Sequence, residues 1–417
     1  ILMSLPITKS ARNYGNQALA ENYLFTYDAF EEYFQNLDPD GLLVLVTHYP
    51  NELLKIAVNA LTALTNLGVA PQAAMSRLIS IGTDTSPTLV LKRSPFSADE
   101  QELYYTILDA LSLRGTTNFI PGYEQQSQEI STAAGTRTVY EINPGLYAIS
   151  QGTAGIDDLV AANSENIAPV SDNSPFFYQM SRGLPYEIRI VVITALILIV
   201  VVMLLYTIRT LRYTDNAAVA HSDALLQFFS FSAIGFGYMF IEIAYLQKFI
   251  FYWQHQTLAL AVVLSIILIS SGFGSYFSYL CRTLRQFRTL ILLLLAGLAA
   301  GIFYLDPLLR VTGSYSGAGK FIISVLAVGP VFLLMGTPFP LLLQNSRKLH
   351  RGSAGNFPWL LGINSLASLG GGVFSMAIAL AAGYRLVQYL GIAAYGLLLL
   401  FLSIRNSGTL QPGKMNT

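Results

Sequence analysis

One acidic residue stands inside a long apolar run in the second half of the chain. Glu242 lies in the segment GFGYMFIEIAYLQK, six residues before Lys248. A carboxylate within a membrane segment is costly, and such residues commonly bind substrates, ions or protons. A salt bridge to Lys248, or extension of the side chain to the membrane surface, would explain Glu242 equally well. The functional and the structural interpretations both stay open.

Two further features of the apolar half could contribute to a site. Asn364 would need a hydrogen-bond partner inside a helix bundle, because an unpaired amide is costly there. Pro330, Pro338 and Pro340 remove backbone donors from one apolar segment, which predicts a kinked or broken helix. Broken helices line binding sites in some transporters, although we favour a simple bend here.

The polar half of the chain offers two weak candidates for a catalytic group, Glu21 and His48. His48 directly follows LLVLVT (residues 42–47), a continuous apolar run typical of a strand buried on both faces. It would therefore lie at the carboxyl end of that strand, although a lone histidine is more often structural. Glu21 opens a helical segment, and interaction with the helix N-terminus explains it as well as a substrate does. The catalytic residues stay unknown at this stage.

Metal and disulfide chemistry find little support in the sequence. The single cysteine, Cys281, excludes an internal disulfide and a multi-cysteine metal site. No Ser/His/Asp set, metal-ligand set or glycine-rich phosphate loop stands out in residues 1–187. We therefore predict no metal.

Alternating strands and helices would position Glu21 and His48. Their order predicts part of a doubly wound α/β sheet that ends in an antiparallel hairpin at the sheet edge. Such sheets bind ligands at the carboxyl ends of their strands, so the polar loop at 8–22 would hold a substrate. We expect Asn51 and Ser97 to cap two of the helices, Ser97 in a capping box with Glu100. The predicted strands are 1–6, 42–47, 76–82 and 87–93, and the predicted helices are 21–37, 51–68 and 97–115.

Composition divides the chain into two parts. Charged residues make up 12% of the chain and apolar residues 53%, whereas soluble domains average about 25% charged residues. Residues 1–187 have an ordinary soluble composition, residues 188–404 are strongly apolar, and residues 405–417 form a polar tail. Net charge is zero, which gives no electrostatic case for nucleic acid. Seven apolar runs, each a candidate to cross a lipid bilayer as a helix, lie at 188–208, 224–247, 257–280, 288–304, 320–343, 359–382 and 384–402.

Several blocks of the chain together resemble one known family. ENYLFTYDAFEEYFQNLDPDGLLVLV resembles the helix-turn-strand segment of class I S-adenosylmethionine-dependent methyltransferase-fold proteins. NIAPVSDNSPFFYQM, FGYMFIEIAYLQKFIFYWQHQTLALAVVL, GTPFPLLL and PWLLGINSLASLGGGVFSMAIAL follow in the order found in bacterial spermidine-synthase-like proteins fused to membrane segments. The matches touch most of the chain from Glu21 to about Leu402.

The resemblance implies a fold, a cofactor and a substrate. It places Ile1 to Pro6 on the fourth strand of a seven-stranded Rossmann-like methyltransferase sheet, so this chain would carry its C-terminal part and lack the N-terminal part. The residues that hold S-adenosylmethionine or its decarboxylated form are then expected upstream, and we expect neither to bind this chain well. Spermidine synthases carry a catalytic aspartate after the fourth strand, where this chain has SLPITKS and Lys9.

Two functions therefore stand beside each other. The first is a membrane-anchored, spermidine-synthase-like transferase of the aminopropyltransferase or methyltransferase type, which acts on a small amine and is inactive as this chain alone. The resemblance implies that it lies in the bacterial inner (plasma) membrane. The alternative is a membrane transport or sensing protein whose soluble domain binds a ligand without catalysis. The oligomeric state stays unknown.

Overall fold

The computed structural model describes residues 1–4, 20–123, 127–132, 135–140, 142–212, 217–349 and 357–407. The chain forms two compact units, Ile1–Glu187 and Ile188–Thr417. Each unit has its own hydrophobic core. The predicted polar loop falls largely, and the polar tail almost wholly, outside the described residues.

The first unit alternates strands and helices, as its apolar pattern predicts. A 3-10 turn, Tyr23–Phe25, precedes the first α-helix, so the helix predicted over 21–37 is shorter than expected. Thr26 ends that turn and caps the helix, because its side chain accepts the backbone N–H of Ala29. The strands are β1 (Leu2–Ser4), β2 (Leu42–Val46), β3 (Leu78–Ile81), β4 (Thr88–Lys92), β5 (Ser127–Thr132) and β6 (Gly135–Tyr140). The helices are α1 (Tyr27–Asn36), α2 (Pro50–Asn66), α3 (Pro71–Ala74), α4 (Ala98–Ala110), α5 (Pro144–Ser150) and α6 (Ile156–Ala162).

Four of the strands form a mixed sheet in the order β1-β2-β4-β3. β1 pairs with β2 in parallel, with Leu2 opposite Val44. β4 pairs antiparallel with both β2 and β3, so the predicted hairpin exists. However, β4 lies between β2 and β3, and only β3 occupies the edge. The complete methyltransferase sheet stays a prediction.

Helices cover both faces of this sheet. Leu43 and Leu45 of β2 belong to the core that contains the buried apolar residues of α1 and α2. Leu42 and Val44 pack against a second core, which includes Leu108 of α4. Successive side chains of a strand point to opposite faces, which explains why LLVLV is apolar throughout. The prediction of a strand buried on both faces is therefore confirmed in part, because β2 is buried on one face and half-buried on the other.

One predicted helix cap is right and one is wrong. Ser97 forms the predicted capping box, in which its side chain accepts the N–H of Glu100 and the Glu100 carboxylate accepts the N–H of Ser97. Asn51, in contrast, lies inside α2, because Pro50 takes the first helical position and Tyr49 the capping position. Proline suits that first position because the N–H it lacks would have no helical partner.

The second unit consists of helices, and seven of them are long and apolar enough to cross a membrane. These helices indicate an integral membrane protein. The fourth is longer than predicted, since α10 continues through Asp306 and Pro307 to Thr312. The helices are α7 (Tyr186–Arg212), α8 (Ala217–Trp253), α9 (Gln256–Phe277), α10 (Leu284–Thr312), α11 (Gly317–Met335), α12 (Pro338–Leu349), α13 (Phe357–Ala382) and α14 (Tyr384–Ser407).

The prolines of the fifth span have different positions. Pro330 lies inside α11, which continues past it. Gly336 and Thr337 separate α11 from α12, and Pro338 is the first residue of α12. The break therefore falls immediately before Pro338, where a missing N–H costs least. Pro340 lies in the first turn of α12.

Small residues let the helices of the second unit approach closely. A Cβ added at Gly235 of α8 would lie 2.6 Å from the backbone oxygen of Asn364 in α13. A Cβ added at Gly237 would lie 3.0 Å from the ring of Tyr395 in α14. Such contacts are the usual basis of helix packing in lipid, and they place α8 against α13 and α14.

Candidate functional site

The carboxyl edge of the sheet carries His48 and Glu52 directly after β2. The Glu52 carboxylate accepts the backbone N–H of His48 at 3.1 Å. The His48 ring packs at a tilt against Tyr49, with 6.2 Å between the centroids. Because β1 and β2 are parallel, both strands end at this edge, where α/β sheets hold ligands.

The segment before α1 reaches the same edge through Tyr178. The side chain of Asn22 hydrogen-bonds to the Tyr178 hydroxyl, which also interacts electrostatically with Glu52. Burial, together with Glu52, raises the pKa of Tyr178 well above its usual range. Glu21 therefore lies one residue from a contact chain that runs through Asn22, Tyr178 and Glu52 to His48. The structure thus brings Asn22, the neighbour of Glu21, and Glu52, the hydrogen-bond partner of His48, to the same tyrosine hydroxyl.

Glu21 itself accepts a hydrogen bond from the Tyr23 hydroxyl at 3.2 Å. Burial, followed by the charge of Glu21, raises the pKa of Tyr23 far above its ordinary value. Tyr23 is therefore held as a protonated donor and cannot act as a base near neutral pH.

Hydrogen bonds to carboxylates also join the segment after α6 to the start of α1. The Thr26 hydroxyl donates to Asp172 at 2.7 Å, and the backbone N–H of Asp172 donates to Asp28 at 2.8 Å. Two backbone bonds, Asn22 N to Pro175 O and Tyr27 N to Val170 O, complete the junction. The block NIAPVSDNSPFFYQM thus forms one wall beside residues 22–28.

Sequence reasoning missed Lys55, the buried cation of this region. Lys55 is 0% exposed, and its ammonium donates to the backbone oxygen of Gln179 at 3.0 Å. The ammonium also lies over the Phe177 ring, 5.6 Å from its centroid. Burial lowers the pKa of Lys55 to about 7, although Glu165 opposes the shift. The available signal was Lys55 and Asn59 one turn apart in LLKIAVNAL (residues 53–61), a stretch that is otherwise apolar.

In the second unit, Lys248 pairs with Asp306 and not with Glu242. The Lys248 ammonium and the Asp306 carboxylate are 2.5 Å apart, in α8 and α10. Glu242 and Lys248 are six residues apart on the helix, which rotates one side chain from the other by about 240° beyond a full turn. The two side chains therefore point in different directions. The interpretation that Glu242 forms a salt bridge with Lys248 is therefore wrong.

Glu242 is half-buried near the middle of its span. It precedes Trp253 by eleven residues, or about 16 Å along the helix at about 1.5 Å per residue. Among the described residues, its carboxylate makes no hydrogen bond or ion pair. Extension to the membrane surface from this depth is unfavourable, because the hydrocarbon core is about 30 Å thick.

Asn364 and Tyr395 each have a buried polar atom without a partner among the described residues. These atoms are the Asn364 side-chain oxygen and the Tyr395 hydroxyl. The predicted partner of Asn364 is therefore not found in the described part of the bundle. Within the same part of the chain, no group of three or more His, Cys, Asp or Glu side chains is placed to hold a metal ion.

Comparison with known protein families, curated proteins and solved structures finds no match for this chain. The spermidine-synthase-like identity therefore stays a prediction from the sequence blocks.

Proposed function

We propose that the first unit is the amine-binding part of a membrane-anchored, spermidine-synthase-like transferase. The observation that carries the proposal is the carboxyl edge of the sheet, where Glu21 and Glu52 lie beside tyrosine hydroxyls. Carboxylates suit a cationic amine because charge-assisted hydrogen bonds are the strong ones. The transferase would be of the aminopropyltransferase or methyltransferase type.

The proposal assigns a separate role to each group. Glu21 and Glu52 hold the ammonium, and the Tyr178 hydroxyl fixes its direction. An attacking amine must lose a proton before it can act as a nucleophile, and Glu21 and His48 are the candidates to accept that proton. S-adenosylmethionine or its decarboxylated form would supply the transferred group, and we assign no described residue to it.

Titration with putrescine tests the amine site. We expect Glu21→Gln and Glu52→Gln each to weaken putrescine binding about tenfold or more, since a hydrogen bond to a charged group contributes about 1.5–3 kcal/mol. Isothermal titration calorimetry of the purified protein in detergent measures the affinity.

Glu102→Gln is the matched control. It removes one carboxylate from an exposed position of α4, which packs on the other face of the sheet. Its affinity for putrescine should equal that of the unmodified protein. Equal loss in all three variants, or no binding by the unmodified protein, would overturn the amine site.

A second function, membrane transport or sensing, is favoured by a different observation. Glu242 lies within the membrane span of α8, eleven residues before Trp253, and has no partner among the described residues. Ionisable residues placed so deeply commonly mark ion or substrate paths. In this second function the first unit binds its ligand without catalysis.

A further inference from the structure

The surroundings of Glu242 are aromatic and hydroxylic. Tyr238 and Tyr245 lie four residues before and three residues after Glu242, on the same face of α8. Both rings pack edge-on against Phe332 of α11, with centroids 5.9 and 5.7 Å apart. The Tyr238 hydroxyl is 3.3 Å from that of Ser271 in α9.

A fourth group stands close to this face. The Tyr395 side chain is fully buried, and its hydroxyl has no hydrogen-bond partner among the described residues. It lies near enough to Tyr238 to interact with it electrostatically. An unsatisfied buried hydroxyl costs free energy, so a ligand that it could contact would relieve that cost.

No described positive charge neutralises Glu242. Lys248, the nearest base along α8, is engaged by Asp306 on α10. An ionised carboxylate without a counter-charge is strongly disfavoured in a low-dielectric interior. The carboxyl must therefore carry a proton or hold a cation.

We propose that Glu242, with the hydroxyls of Tyr238 and Ser271, forms a cation-exchange site in the membrane unit. The carboxyl holds a proton at rest and exchanges it for one monovalent cation. The carboxylic O–H bond breaks, the proton passes to water, and the carboxylate binds the incoming cation, so charge is conserved. One carboxylate supplies one negative charge, which matches a monovalent ion.

Two cations fit this chemistry. The carboxylate and hydroxyl oxygens suit a sodium ion, whereas the rings of Tyr238 and Phe332 suit a small organic ammonium through cation–π attraction. The inference rests on the second function, transport or sensing, and is independent of the transferase.

Labelling with the hydrophobic reagent dicyclohexylcarbodiimide tests the site, because this reagent modifies protonated carboxyls in lipid. The protein is reconstituted in lipid nanodiscs, and mass spectrometry measures the modification of each acidic residue. We expect modification of Glu242 that slows as pH rises. Saturating sodium chloride or methylammonium chloride should slow it about tenfold or more, relative to N-methylglucamine chloride at equal ionic strength.

The two salts identify the cation. Protection by sodium, by methylammonium or by both supports the proposal and names the ion. The proposal is overturned if Glu242 stays unmodified, or if neither salt protects it. Asp306 is the internal control and should stay unmodified in every condition, because its carboxylate is paired with the Lys248 ammonium.

Variants separate the site from the fold. Tyr238→Phe and Ser271→Ala should keep the labelling of Glu242 and weaken cation protection. Tyr245→Phe is the matched control, because the Tyr245 hydroxyl points towards Gly301 and Asp306. Cation protection of Glu242 in this variant should equal that in the unmodified protein. Failure of the cation site and failure of the transport function give different results. If cations protect Glu242 but vesicles show no flux, the cation site is retained and only the transport function is excluded.

Discussion

Lys55 is a fully buried amine in the core of the first unit. Its ammonium is enclosed by α2 and the segment that contains Phe177 and Gln179. Within the part of the chain that the structure describes, one hydrogen bond to a backbone oxygen and the face of the Phe177 ring compensate the loss of water. The pKa of Lys55 consequently falls from 10.5 to about 7, so the folded chain holds the amine largely neutral in mildly basic solution.

This shift predicts a pH dependence of stability. Between about pH 7 and the unfolded pKa of 10.5, the unfolded chain binds more protons at Lys55 than the folded chain does. Stability therefore rises with pH across that window, and the contribution is constant below it. We expect Lys55→Met to raise the melting temperature most at pH 7, with a difference from the unmodified protein that shrinks towards pH 10.

Thermal unfolding followed by intrinsic fluorescence measures both proteins across the window. The difference between them isolates Lys55 from other titrating groups. A difference that stays constant or grows with pH would show that the pKa of Lys55 is not lowered in the folded state, and would contradict its burial beneath Phe177.

At the scale of elements, the contact between α9 and α11 depends on two glycines. A Cβ at Gly274 would overlap the carbonyl oxygen of Leu333, and a Cβ at Gly336 would overlap that of Ser271. This close approach holds Ser271 and Phe332 beside Tyr238. The helices α9 and α11 therefore make this close contact and also carry residues beside the proposed cation site.

We expect Gly274→Ala to destabilise the second unit by about 1–3 kcal/mol or more, because the added methyl group overpacks a backbone contact. Gly272→Ala, on the same helix, is the control, since nothing lies within 4 Å of its Cβ position. Melting temperature and the monodisperse fraction in size-exclusion chromatography measure the effect. Equal behaviour of the two variants would contradict the close approach of α9 and α11.

The sequence predicts elements well where the pattern is strong, and contacts poorly. β2 and the seven long helices follow directly from unbroken apolar runs. The hairpin β5–β6 was not predicted, because SQEIST and GTRTVY lack an apolar alternation. α10 was predicted too short, because Asp306 looks like a helix end until its pairing with Lys248 is seen.

The candidate site was predicted only in outline. His48 was chosen because it follows a strand, and Glu21 because it is the acid that opens the next helical segment. Tyr178, whose hydroxyl contacts their neighbours Asn22 and Glu52, lies more than a hundred positions later. Lys55 and Gln179 are likewise 124 positions apart. Local patterns carry no information on such pairs, because tertiary packing alone brings them together.

At the scale of the whole molecule, the two units place their polar groups differently. The first unit gathers carboxylates and hydroxyls at one edge of its sheet. The polar side chains that the second unit buries are uncharged hydroxyls and amides. Of its spans, α8 is the most buried, with 61% of its apolar window buried compared with 6% for α7. Glu242 and Lys248 both lie on α8, so two of the ionisable groups of the membrane unit belong to its most buried span.

The most direct test of the transferase is a transfer assay on the protein as its gene encodes it. Purified protein is incubated with putrescine and either S-adenosylmethionine or its decarboxylated form, and mass spectrometry identifies the amine product. The account predicts an aminopropylated or methylated amine, reduced at least tenfold in Glu21→Gln. The transferase function would be contradicted if neither product forms and the protein binds neither form of the cofactor.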